Sequence, residues 1–446
     1  MKIKLVIISV LCGVILSSCD RFLDIRPTGK VIPTTSKEYR ELITQAYNSV
    51  LEDRGLTTFR TDEGIMDEAT SSVSDIETYK NIWIWNDDNP TGSTTTFGWR
   101  QYYHVLFIAN YILENKGVIT DGTPETINQL AGEAYMLRAY MHFLLVNLFA
   151  EPYTHCVPES TKGIPLKLNS NTESTLSRNT IAEVYASVEN DINDAEKLLN
   201  VHQWEKGFTY RFNTVSVDAF RSRLYLYMGK WDKSLEASER VLQKKNTLTD
   251  LRVTGSVLPN NYQSVENIVA IEQIITSQYL GAMRISNTLL DKYKSGDLRK
   301  SRFYRALTAS VYRLQKGGSN EFRCSFRVGE MYLNACEAAL KVGGKDDVAK
   351  KYLLKLLQNR LSVNAYNNRE TAINAMDNAG LLNEVLLERE LELAFEGHRW
   401  FDLRRLARPE LKKIFGADTY ILKQNDVRYT LKIPAEAVSA NPNLAN

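Results

Sequence analysis

The sequence predicts a mainly α-helical protein, built of tetratricopeptide-like helix pairs and interrupted by long irregular, loop-rich insertions. Three observations predict it. The longest patterned stretches carry apolar residues at three- and four-residue spacings, the period of a helix with one buried face. Two segments read as helix pairs turning on glycine. Two others are rich in turn formers, lack that period, and are too long to be simple connections.

In chain order, Arg54 to Gly98 is the first irregular stretch, and it contains Asn86-Asp87-Asp88-Asn89-Pro90-Thr91-Gly92-Ser93. Trp99, Tyr103, Phe107 and Asn110 then fall at helical spacing and read as packing. From Ile127 to Phe149, Leu130, Ala134, Leu137, Ala139, Phe143 and Val146 mark one apolar face. Thr180 with Glu183 three residues on is a capping box. It opens a helix to Leu199 striped by Ile181, Val184, Val188, Ile192 and Ala195. Val215 to Leu242 is the first pair, turning at Tyr227-Met228-Gly229-Lys230-Trp231, with Ser234 where such repeats usually carry alanine. Thr247 to Arg323 is the second irregular stretch, and its tyrosines argue against disorder. Phe326 to Leu357 is the second pair, turning at Gly343-Gly344.

The start of the chain carries its own signal. Met1-Lys2-Ile3-Lys4 is basic, and Leu5 to Leu16 is apolar but too short to span a bilayer. Leu16-Ser17-Ser18-Cys19 reads as a lipobox, so residues 1–18 are expected to be a signal peptide and Cys19 the point of lipid attachment. Residues 19–446 are then expected to form a single domain held to a membrane by acyl chains. A formal net charge of +2 gives no basic excess of the kind a nucleic-acid binder shows. Cys156, Cys324 and Cys336 form no C-x-x-C pair and allow at most one bridge.

Several ordered motifs together carry a family resemblance that runs from the lipobox to the last residue. They are Cys19-Asp20-Arg21-Phe22-Leu23-Asp24-Ile25-Arg26-Pro27, Gly132-Glu133-Ala134-Tyr135-Met136-Leu137-Arg138-Ala139-Tyr140, Gly163-Ile164-Pro165-Leu166, and Arg327 to Ala338. The strongest is Glu388-Arg389-Glu390-Leu391-Glu392-Leu393-Ala394-Phe395-Glu396-Gly397-His398-Arg399-Trp400-Phe401-Asp402-Leu403-Arg404-Arg405. With Ile433-Pro434 and Asn441 to Asn446 similar to a closing strand and tail, the chain resembles the RagB/SusD family of nutrient-uptake outer-membrane lipoproteins. The resemblance implies a SusD-like helical fold on the extracellular face of the outer membrane. It also implies a TonB-dependent (SusC-like) outer-membrane barrel as partner, over which the lipoprotein acts as a substrate-binding lid. Asp20 marks inner-membrane retention in some sorting systems, a rule the resemblance argues against here.

The strongest motif also invites a catalytic reading. Glu388, Glu392 and Glu396 stand at four-residue spacing, with His398 and Asp402 close behind, a set that could serve acid/base or metal chemistry. Arg389, Arg399, Arg404 and Arg405 stand beside them, so ion pairs and caps explain these acids equally well, and a lone histidine near acids is weak evidence for a metal. No nucleotide-, metal- or hydrolase-type motif occurs, and no catalytic residue, metal or cofactor is expected.

The ligand candidates are Tyr79, Trp83, Trp85, Asn86 and Asp88. If Ile82 to Trp85 is extended, both indoles face one way as a platform on which a sugar ring stacks, with polar groups alongside for its hydroxyls. The competing reading is that both tryptophans are core. Tyr262, Tyr279, Tyr293 and Tyr304 are secondary candidates, and the Asn86–Asn89 run lacks a full calcium-loop pattern. The expected function is capture of oligosaccharide or peptide for a transporter barrel. A repeat scaffold and, behind it, a lipid-anchored glycoside hydrolase are the alternatives.

Overall fold

Side-chain caps decide where most of the long helices begin. The computed structural model describes residues 32–87 and 94–445; the segment read as a signal peptide, Cys19 and Asp88 lie outside them. Thr35 and Glu38 form a reciprocal capping box for α1 (Ser36–Asn48). Ser72 caps α2 (Val73–Trp83), and α3 spans Arg100–Asn115. Thr123, followed by Pro124 in the first turn, starts α4 (Pro124–Phe149). The expected Thr180–Glu183 capping box opens α5 (Ile181–Leu198). Asn213 caps α6 (Thr214–Met228), and Gly229 ends it in the left-handed conformation, φ 68°.

The first expected pair is α6 with α7 (Trp231–Lys244), and the second is α8 (Val328–Val342) with α9 (Asp346–Leu357). Ser234 does the work of the usual alanine. It is fully buried, its hydroxyl donates to the Ser222 carbonyl at 2.9 Å, and Ser222 and Ser238 bond at 2.8 Å across the pair. Among the helices that follow are α10 (Val363–Asn374), α11 (Asn378–Glu392) and α12 (Arg399–Arg405). From α3 to α9 the long helices pack each on the next in sequence, and α8 also meets α11. Gly132 lets α4 and α5 close up, because a Cβ there would lie 2.8 Å from the Leu199 side chain.

Strands are short and all antiparallel: β1 (Gly64–Ile65) with β3 (Arg284–Ile285), β2 (Asn267–Val269) with β6 (Phe326–Arg327), β4 (Tyr304–Ala306) with β5 (Tyr312–Leu314), and β7 (Leu411–Phe415) with β8 (Asp418–Leu422). The β1–β3 pair ties the two irregular stretches to each other, and β2–β6 ties the second to the residues just before α8. Among the described residues no helix is long and apolar enough to cross a membrane.

Two expectations are corrected. The 54–98 stretch is less irregular than its composition suggests, since α2 lies inside it. Ile76, Tyr79 and Trp83 follow a helical spacing that the alternation of Trp83 and Trp85 disguises. The closing segment at Ile433-Pro434 is not a strand. Proline cannot donate to a ladder, and the segment is tied instead by Leu431 N–H to the Leu148 carbonyl at the end of α4, 3.1 Å.

The strongest sequence motif is a buried ion-pair lattice. Arg327 donates to Glu266 (2.9 Å), Glu392 (2.8 Å) and Glu396 (2.7 Å); Arg360 shares Glu266 and Glu392; Lys316 reaches Glu396 at 2.6 Å. Glu388 meets Arg299, and Asp402 bridges Arg389 and Arg405. Burial alone would raise the Glu392 carboxyl, but Arg360 and Arg327 hold it far below the usual carboxylate range. His398 is pushed well below its ordinary value by burial and by the arginines Arg223 and Arg54, so it is neutral. Every carboxylate of the motif considered for acid/base chemistry is thus paired with a cation. Cys156, Cys324 and Cys336 are free thiols.

A candidate ligand cleft beside Trp85

The end of α2 is where the ligand candidates lie. Asn86 N–H donates to the Asn81 carbonyl (2.8 Å) and Trp85 N–H to that of Ile82 (3.2 Å), the paired bonds of a Schellman stop. Such a stop needs a left-handed residue, usually glycine, and here Trp85 takes it at φ 58°. That costs about 1–2 kcal/mol for an L-residue. The backbone turn sends both indoles inward, so no exposed platform forms: Trp83 and Trp85 are each 1% exposed.

Their surroundings explain the choice. The Trp85 indole N–H donates to the Arg60 carbonyl at 2.9 Å and that of Trp83 to Gly64 at 3.2 Å. The Lys413 ammonium of β7 lies 4.4 Å from the Trp85 ring centroid and 4.9 Å from that of Trp83. It donates to the carbonyls of Phe59 (2.5 Å) and Trp83 (2.9 Å). Burial, with Arg60 nearby, pushes the Lys413 amine well below its ordinary value. Tyr79 is buried too, stacked on Phe59 at 4.7 Å with its hydroxyl bonded to Gln278.

Trp85 and Asn86 nevertheless form part of the wall of a cleft of about 730 Å³, a size in the range of small-ligand sites. Its apolar floor comes from Ile84, Phe149, Ala150 and Leu431, with Tyr420 of β8 alongside. Polar groups surround that floor: Asn86, Asp87, Glu151, Arg178, Arg428 and Thr430. The rim is held in place by its own bonds. Arg60 pairs with Asp87 at 2.6 Å and donates to the Arg428 carbonyl at 2.6 Å. The Arg428 guanidinium clasps Asp426 at 2.7 Å and keeps that carboxyl down to about 2. Thr430 donates to Glu151 at 3.0 Å, and the buried Arg404 donates to the Ala150 carbonyl at 2.5 Å. The arrangement offers apolar lining side chains with polar donors and acceptors around them.

Of the five sequence candidates, the fold brings Trp85 and Asn86 to the cleft, puts Tyr79 and Trp83 in the core, and leaves Asp88 outside the described residues. Phe149, Arg178, Tyr420 and Arg428 also line the cleft and are not among the sequence candidates. The one available signal was that Ile433, part of a motif noted only for its resemblance, also lines the wall. Among the secondary candidates, Tyr279, Tyr293 and Tyr304 are buried, and Tyr262 lines a different cleft.

Comparison with known proteins agrees with this architecture. Residues 21–226 match a family model described as starch-binding and associating with the outer membrane, and residues 169–446 match that of the SusD family. SusD-like protein P2 of Formosa agariphila is 22% identical over 82% of this chain and 81% of its own. Among solved structures, a SusD superfamily protein from Bacteroides fragilis superposes with a TM-score of 0.76 at 19% identity, covering 93% of this chain and 100% of that one. A sugar-binding protein (so described provisionally) from Bacteroides vulgatus gives 0.74 at 23% identity, over 93% and 98%. A laminarin-binding SusD-like protein gives 0.67 at 19%, over 92% and 98%. Since the second family model alone spans well over half of the sequence, and the helical frame is that of the solved structures, the chain belongs to the SusD family.

Proposed function

We propose that this chain is a lipid-anchored protein of the outer-membrane surface that captures oligosaccharide in the cleft beside Trp85 and passes it to a TonB-dependent (SusC-like) barrel. The carrying observation is the cleft itself, an apolar floor ringed by fixed polar groups, in a fold shared with a laminarin-binding relative. Sugars need that combination, because their C–H faces favour apolar surface while their hydroxyls need partners. Peptide remains the second ligand class from the sequence, and the starch-binding description of the matching family favours glycan. Pairing of Glu388, Glu392, Glu396 and Asp402 with cations supports binding over catalysis.

Calorimetric titration against panels of oligosaccharides and short peptides tests the reading. Binding of a glycan class, weakened about tenfold or more by Asn86→Ala or Tyr420→Ala in a folded protein, is the expected result, equivalent to about 1.4 kcal/mol. Binding untouched by both changes would remove the cleft from the account, and selective binding of peptides would replace the ligand class.

A further inference from the structure

A second cleft, of about 510 Å³, opens between the loop preceding α6, the end of α7 and the start of the 247–323 stretch. Its charge is one-sided. Lys206, Lys244 and Lys245 line it, and no aspartate or glutamate does among the described residues. Lys244 is tied to Asp218 at 3.0 Å, whereas Lys206 and Lys245 pair with no carboxylate among the described residues. The carboxylate facing Lys245 is Glu266, and it is already committed to Arg327 at 2.9 Å and Arg360 at 2.6 Å. Beside the cleft, Arg211 adds a further cation that pairs with no carboxylate among the described residues, stacked 4.0 Å from the Phe208 ring and 5.0 Å from that of Trp204.

The walls suit a sugar as well as a charge. Tyr262 is half-buried along one side, and Trp204 is fixed by donating its indole N–H to the Phe212 carbonyl at 3.0 Å. Asn267, also on the wall, is held by donating its amide to the Tyr262 carbonyl at 3.1 Å. A concave site lined by one sign of charge also concentrates ligands of the other sign. In a chain whose net charge is only +2, this is a local feature rather than a consequence of composition.

We propose that this second cleft binds an anionic sugar, one bearing a uronate carboxylate or a sulfate ester, so that the protein engages a charged glycan at two places. This rests on the chain being a glycan binder. The test is titration of the purified full-length protein with three probes: an oligogalacturonate, a sulfated galactan oligosaccharide and an uncharged laminarin oligosaccharide. One or both charged probes are expected to bind with an affinity that falls as salt rises. A Lys206→Gln/Lys245→Gln variant, checked for folding by circular dichroism, should bind them about tenfold more weakly, the upper range for two partly exposed charges. It should leave the uncharged probe unchanged. Which charged probe responds separates carboxylate from sulfate. Charged probes that fail to bind, bind without salt dependence, or bind the variant equally well would overturn the proposal. If the uncharged probe still binds, the glycan reading survives that outcome; if no probe binds, both fall.

Discussion

Trp85 sits in a conformation that glycine tolerates and tryptophan does not favour, φ 58°, yet its side chain is almost fully buried. The two effects differ in size. Left-handed strain costs about 1–2 kcal/mol, while truncating a buried tryptophan costs about 3–5 kcal/mol, so packing against Lys413 and Arg60 wins. Trp85→Ala should therefore lose about 3–5 kcal/mol in denaturant unfolding, and Trp85→Gly should be the less damaged of the two by roughly 1 kcal/mol, reversing the usual order of alanine and glycine. A glycine variant less stable than the alanine one would show that the turn is not under strain. Glu63 offers a pH test. Its carboxylate accepts the Phe395 N–H at 2.9 Å, and burial pushes its pKa from 4.5 up to about 8. The folded state holds the extra proton, so stability contributed by this group falls as pH rises through that window. Glu63→Gln should gain on the wild type by at least about 1 kcal/mol between pH 5 and pH 8, measured as the change in unfolding free energy. A pH-independent difference would mean Glu63 ionises normally.

Between elements, the lattice around Arg327 joins β6 to the residue before β2, to α11 and to the segment after α11, through Glu266, Glu392 and Glu396. Removing one partner of a buried pair leaves uncompensated charge, so Arg327→Ala should lose about 3–5 kcal/mol. Thr180→Ala, which removes only a helix cap, should lose about 1 kcal/mol. Equal losses in chemical denaturation would mean the lattice carries no special weight. Helices of this kind were legible because their causes are local: the Thr180–Glu183 box and the Gly229 turn stand where the sequence puts them. α2 was misread because Trp83 and Trp85 are two residues apart, a strand-like spacing, and only the Schellman stop turns both indoles the same way.

At the scale of the whole molecule, the cleft gathers residues from Ile84 to Ile433, and that is why so little of it could be read beforehand. Trp85 and Asn86 are local neighbours and were found together; Tyr420 and Arg428 reach them through Lys413 of β7, which lies against the tryptophans, and through Arg60, which bonds the Arg428 carbonyl. Pairings across such separations leave no periodic trace in one sequence. The proposed anchor belongs to this scale as well. Cys19→Ala should abolish incorporation of labelled palmitate and release the protein from the membrane fraction, whereas retention of both would remove Cys19 as the attachment point.

The central claim is that glycan sits in the cleft beside Trp85. A crystal structure of the protein grown with a binding oligosaccharide tests it most directly. Sugar density is expected over the Ile84, Phe149 and Leu431 side chains, with hydroxyls bonded to groups such as Asn86 and Arg428. An empty cleft in a crystal whose protein holds the sugar elsewhere would contradict it.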